Sequence, residues 1–157
     1  MALRLPNTGL AVAVDIGDAA DIHPKNKQEV GRRLALIALA GTYGLQVEYS
    51  GPVFEKMAME AGCARIHFAF ADKGLAAPDN QPLKGFAVAG SDGRFYHAVA
   101  VIDGNTVVVR HDAVPEPKVV RYGWASNPEC NLYNKAGLPA VPFRTDAPQP
   151  PEVPDIR

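Results

Sequence analysis

No stretch of this 157-residue chain approaches the roughly 18 to 20 consecutive apolar residues that cross a bilayer. Its start, Met1-Ala2-Leu3-Arg4-Leu5-Pro6, has no apolar h-region of a secretory signal, so the chain taken literally reads as cytoplasmic. An excess of one charge is also lacking. Sixteen Lys and Arg stand against 17 Asp and Glu, a net of -1 with no basic run to track phosphates, which excludes nucleic acid as the expected partner. Cysteine is scarce: Cys63 and Cys130 lack a CxxC partner and make no disulfide framework. They can form a pair or stay free, and the reading adopted is two free thiols. Nucleophile motifs are missing as well, since Ser50, Ser91 and Ser126 lie in neither a Gly-x-Ser-x-Gly elbow nor a Gly-Asp-Ser turn. His67, His97 and His111 are scattered over predicted strands or their ends without metal-ligand spacing and read as structural or exposed. No metal or cofactor is expected.

What is present is a globular composition, 47% hydrophobic, at a length that fits one domain, or one small domain plus a remnant of another. The chemistry concentrates in Asp15-Ile16-Gly17-Asp18-Ala19-Ala20-Asp21-Ile22-His23-Pro24-Lys25-Asn26-Lys27. Before it, Leu10-Ala11-Val12-Ala13-Val14 reads as a strand buried on both faces. In open α/β sheets ligands bind outside the carboxyl ends of such strands, where this loop of acids and one imidazole would stand. After it, Pro24 suits the first helical position, which puts His23 just before the helix; Asn26 with Glu29 is a competing cap. Either way the imidazole lies near a helix N-terminus, whose positive end favours the neutral, proton-accepting ring. A neutral His beside a carboxylate has the parts of a base and its orienter. The competing reading is plain: Asp, Gly and Pro are ordinary loop residues, and a lone His at such a place is often only a surface or capping group.

From Lys25 to Tyr43 the spacing of Val30, Leu34, Ile37, Ala38 and Gly41 predicts a helix widened by Leu36 and Leu39, stopped near Gly44. Lys25, Lys27, Arg32 and Arg33 fall on its other faces and read as solvated. One strand and one helix cannot close a core, so this part needs a partner. The period then becomes two. Strands are expected at Gln46–Ser50, at Ala64–Ala71 with Ile66, Phe68 and Phe70 on one face against Arg65 and His67, and at Lys84–Ala89 and Phe95–Ile102 around the Ser91-Asp92-Gly93 turn. Thr106–Val109, after Asp103-Gly104-Asn105, and Lys118–Trp124 complete the set, with a loop at Lys73–Leu83. Such strands argue for a β-sandwich. An irregular return follows, anchored by Leu132, Tyr133, Val141 and Phe143. From Ala147 the prolines describe an extended, mobile tail.

Asn7-Thr8-Gly9-Leu10-Ala11-Val12-Ala13-Val14-Asp15-Ile16-Gly17-Asp18 and Asp21-Ile22-His23-Pro24-Lys25-Asn26-Lys27-Gln28-Glu29-Val30-Gly31-Arg32-Arg33-Leu34-Ala35 resemble the end of the catalytic domain of sialate O-acetylesterases, in the SGNH hydrolase superfamily. The resemblance continues through Val47–Pro52, Leu83–Ala87, Val120–Tyr122, Cys130–Pro139 and Pro142–Asp146. It implies an α+β organisation: residues 1–45 a C-terminal remnant of the SGNH α/β domain, 46–146 an antiparallel β-sandwich accessory domain, and 147–157 a Pro-rich flexible tail. It implies hydrolysis of acetyl esters on sialic acid or a related sugar, in which a serine attacks and an imidazole takes its proton. His23 matches that imidazole. The serine's Gly-Asp-Ser block and the oxyanion blocks are missing, so the resemblance describes the histidine-bearing part of a longer enzyme, inactive alone and partnered by an N-terminal catalytic portion. The family's usual acid, three residues before the histidine, is Ala20 here. Asp21 is the first candidate orienter; Asp18, Asp15 or a Ser-His dyad are the alternatives, and Asp21 can equally be an ordinary loop anion. Members commonly work outside the cytoplasm or in vesicular compartments. The rival function is a non-catalytic β module with carbohydrate-binding or structural duties.

Overall fold

The computed structural model describes residues 5–146, so the expected tail at 147–157 lies outside the described residues. Among these residues it is an α+β arrangement: one α-helix, then strands that pair antiparallel, with a short 3-10 turn at Pro78–Asn80. Helix α1, Lys27–Gly41, starts where the Asn26 side chain accepts from Glu29 N at 3.1 Å, the cap that Asn is suited to supply. Asn26 therefore wins over Pro24, and His23 sits in the loop ahead of that cap instead of directly before the first helical residue. The macrodipole acts only within about a turn of the helix end, and His23 lies ahead of the cap. The helix closes with Thr42 N on Ala38 O at 2.8 Å, and Gly44 turns the chain at φ +66.

The segment Leu10–Val14, expected as a buried strand, joins no ladder among the described residues, and Leu10 is half exposed. A strand needs a neighbour for its N–H and C=O groups, and none of the described strands lies alongside. The helix meets it instead: Arg33 Nη1 donates to Val12 O, and a Cβ at the preceding Gly9 would overlap the Ile37 side chain. Gln46–Ser50 likewise makes no ladder. The chain enters its first strand later, at β1, Val53–Glu60.

β1 pairs with β2, Cys63–Ala69, in a sheet ordered β1-β2-β7-β6 that includes β6, Val99–Asp103, and β7, Thr106–Arg110. A second sheet is ordered β10-β8-β4-β5, from β4, Phe86–Ala89, β5, Phe95–His97, β8, Val119–Tyr122, and β10, Phe143–Arg144. The short β3, Leu75–Ala76, and β9, Tyr133–Asn134, form a third pairing. Period two is visible in β2, where Ala64, Ile66 and Phe68 are buried while Arg65 and His67 are not. Phe70 leaves the strand at φ +59 and meets Tyr49 edge-on at 5.2 Å. The span expected as one strand, Phe95–Ile102, divides at Ala98, whose N–H still donates to Phe86 O at 3.0 Å before the chain passes to the other sheet.

One apolar core joins both large sheets: Ile66, Phe68, Val107 and Val109 on one side, Phe86, Val88, Val120 and Tyr122 on the other. Phe143 lies at its centre, stacked on Phe54 at 4.8 Å and edge-on to Phe68 at 5.9 Å. Such a buried ring contributes about 1.5–3 kcal/mol through area alone. The return segment is thus more than surface cover, since Leu132, Leu138 and Ala140 are also buried. Cys63 and Cys130 are both free thiols.

Candidate functional site

The loop between Asp15 and Lys27 is organised by its carboxylates. Asp18 Oδ1 accepts from Ala20 N at 3.0 Å, and Asp18 pairs by a single bridge with Asp21, whose N–H donates to Asp18 O at 3.3 Å. Lys25 Nζ approaches Asp18 Oδ2 at 3.0 Å. The Ala20 N–H and Lys25 together hold the Asp18 carboxyl below its ordinary range.

Asp21 then does what a short turn permits. Its Oδ1 accepts from His23 N at 2.9 Å and from His23 Nδ1 at 3.0 Å. Residues two apart on an Asx-type turn bring the carboxylate under the backbone, and the ring follows. Since a carboxylate can only accept, Nδ1 carries the proton in this contact, and the neutral ring keeps Nε2 as acceptor. The His23 side chain is 77% exposed, and its neighbour Ile22 is 91% exposed. An imidazole so oriented can take a proton from a hydroxyl that reaches Nε2. Its hydrogen bonds among the described residues go to Asp21; no serine is bonded to it.

Asp15 is occupied elsewhere. Arg33 reaches it with both terminal nitrogens, Nη1 to Oδ1 and Nη2 to Oδ2, each at 2.7 Å, and the two side chains are 6% and 5% exposed. Arg33 Nη1 also donates to Val12 O, and Nε donates to Glu29 Oε1 at 2.8 Å. Tyr133, from β9, donates its hydroxyl to Asp15 Oδ2 at 3.1 Å. Arg32, by its hydrogen bonds above all, holds the Glu29 carboxyl down at about 2, and the Arg33 contacts add to that. Burial and then the Asp15 charge push the Tyr133 phenol up to about 12. Arg33, expected on a solvated face, is instead buried. It shares helical spacing with Ile37 and Ala40, so its stripe turns inward, and charge in that stripe is tolerated because two carboxylates and a carbonyl meet it. Glu29 lies one helical turn before Arg33, a signal legible in sequence. The Tyr133 contact spans 118 residues and had none.

The other histidines stand apart. His111 Nδ1 accepts from Ala113 N at 3.1 Å and its ring stacks on Tyr96 at 4.8 Å. His67 lies in β2 opposite Thr106, and His97 in β5 opposite Ala87. Ser50 Oγ donates to Gly51 O at 3.0 Å. Among the described residues no group of three or more His, Cys, Asp or Glu gathers as a cation site, and no helix is long and apolar enough to cross a membrane.

No family model matches the chain. It is similar to sialate O-acetylesterases, at 29% identity to the mouse protein and 28% to the human one, in each case over 89% of this chain. Those matches take in 28% and 29% of the relatives, so the chain spans under a third of their length. Among solved structures, a carbohydrate acetylesterase from Xanthomonas citri superimposes with a TM-score of 0.87 at 48% identity, over 92% of this chain and 34% of that one.

Proposed function

We propose that this chain is the histidine-bearing C-terminal part of a sialate O-acetylesterase-like enzyme that removes acetyl groups from sialic acid or a related sugar. The homology to acetylesterases supports the class of reaction, and one observation carries the residues: Asp21 holds His23 by Nδ1 and leaves Nε2 open. In this reading His23 is the general base and Asp21 its orienter. Asp18 and Asp15 are committed to Lys25 and Arg33, which leaves Asp21 as the acid within reach.

The nucleophile is a serine on sequence outside these 157 residues, since no Gly-Asp-Ser turn occurs in them. His23 Nε2 takes the serine proton as the oxygen attacks the acetyl carbonyl. The tetrahedral oxyanion is stabilised by donors from that same outside portion. On collapse, the imidazolium gives its proton to the departing sugar oxygen, leaving acetyl-serine. Water, deprotonated by Nε2, then releases acetate and restores the serine. His23 and Ile22 are exposed because, in this proposal, the serine-bearing portion covers them. The division into 1–45, part of an SGNH hydrolase domain, and 46–146, an accessory β-sandwich, belongs to the same proposal. It is supported by a helix whose Leu34 is open to solvent and a segment, Leu10–Val14, without a strand partner.

The test is hydrolysis of a simple acetyl ester. The 157-residue chain alone is expected to show no turnover above a His23→Ala control. Joined to an upstream portion carrying Gly-Asp-Ser it should become active, with His23→Ala lowering kcat by about 10³-fold or more and Asp21→Asn by less. Full activity of the joined His23→Ala variant would end the proposal.

A further inference from the structure

Outside the His23 loop, a depression of mixed polar and apolar lining lies on the outer face of the second sheet. Strand register sets Arg144 opposite Arg121, Arg121 opposite Ala87, and Ala87 opposite His97, so these residues form one row across β10, β8, β4 and β5. Small residues floor the middle of that row. Ala87 is one, and Gly85, at φ +83, is another, where a Cβ would meet Glu129 O at 2.9 Å. The resulting cavity is about 570 Å³ and is walled by Trp124, Phe95 and Arg121, with Lys84, His97 and Glu129 among its polar groups. Trp124, the single tryptophan of the chain, is 53% exposed. Arg144, which does not line the cavity, stacks on its ring at 5.3 Å, and Arg121 lies over Phe95 at 3.9 Å. Both arginines are pinned by Asp146, through Nη2 to Oδ2 at 2.6 Å from Arg121 and 2.5 Å from Arg144.

We infer that this depression is a binding site for a neutral pyranose residue of a carbohydrate, with the Trp124 indole as the platform for the sugar's apolar face. A pyranose offers C–H groups on its faces and hydroxyls around its edge. It is matched by a pre-positioned aromatic plane with both donors and acceptors at the rim. Here the arginine contacts fix the planes, while Lys84, His97 and Glu129 supply the rim. The charged groups already meet carboxylates: Lys84 pairs with Glu129 at 2.9 Å, and Arg121 and Arg144 share Asp146, so the polar rim is engaged within the protein and the indole is left as the main contact for a neutral ring. The site is separate from the His23 loop and its test reads no hydrolysis, so it stands or falls apart from the esterase proposal.

Because Trp124 is the sole tryptophan, its fluorescence reports this site alone. The 157-residue chain is titrated with cellotetraose, mannotetraose, xylotetraose and galactotetraose, and in parallel with N-acetylneuraminic acid. A saturable blue shift with at least one neutral tetrasaccharide is expected. By calorimetry with that sugar, Trp124→Ala should weaken binding roughly tenfold or more, and Ala87→Gln, which fills the floor and keeps the indole, should do the same. Unchanged circular dichroism would show that both variants are folded. No saturable response to any neutral sugar would overturn the site. Binding unaffected by both variants would do so too, and a preference for N-acetylneuraminic acid would overturn the neutral assignment.

Discussion

The residues that matter most to the His23 loop are those that bury charge beneath it. Asp15 and Arg33 form a bidentate pair almost out of water, and such a pair is tolerable only while every partner is present. Truncating Asp15 leaves the buried Arg33 guanidinium ionised, with Glu29 as its remaining carboxylate and both terminal nitrogens stripped of theirs. Asp15→Ala is therefore expected to cost about 3–5 kcal/mol, far more than the loss of a surface ion pair such as Lys84–Glu129. Urea unfolding of the two single variants Asp15→Ala and Glu129→Ala would check the contrast, and equal midpoints would contradict it. The same network explains why Arg33 is buried where its place in the helical pattern predicts solvation. Arginine on a helix is usually solvated, and what reverses that here is a phenol and a carboxylate brought in from elsewhere in the chain.

At the scale of elements, helix α1 owes its start to one side chain. Asn26 satisfies the Glu29 N–H, so Asn26→Ala should lower stability by about 1 kcal/mol and increase hydrogen exchange in the first turn, with Asn26→Asp close to neutral. An exchange profile unchanged from Lys27 to Val30 would show that the cap is idle. Strands were legible where alternation was unbroken, as in β2, and hidden where it was not. In β1 the register against β2 shifts between Phe54 and Lys56, and this bulge carries Glu55, so the apolar residues fall out of step and the strand loses its period. Two elements were expected and are absent for the opposite reason. Leu10–Val14 and Gln46–Ser50 have strand composition, but a strand exists only with a neighbour to pair with.

Across the whole molecule, stability should fall in acid. The Glu29 carboxyl is held down at about 2 by Arg32, and those of Asp146, Asp18, Glu60 and Glu129 are lowered by their own partners. A lowered carboxyl contributes stability that is complete above its unfolded value and is lost as pH falls through the folded one, because the unfolded chain then binds more protons. Between pH about 4.5 and 2 the urea midpoint is expected to drop steadily, and a flat midpoint across that window would contradict it. By itself the sequence determined the helix, the antiparallel hairpins and the chemistry of the 15–27 loop, since these depend on caps, turns and spacing between near neighbours. The tertiary structure alone decided that Asp15 is taken up by Arg33 and Tyr133, that Arg33 is buried, and that Trp124 walls a cavity. Each of those rests on groups far apart in the chain, from Tyr133 on Asp15 to Arg144 on Trp124, whose meeting is set by packing and not by any local pattern.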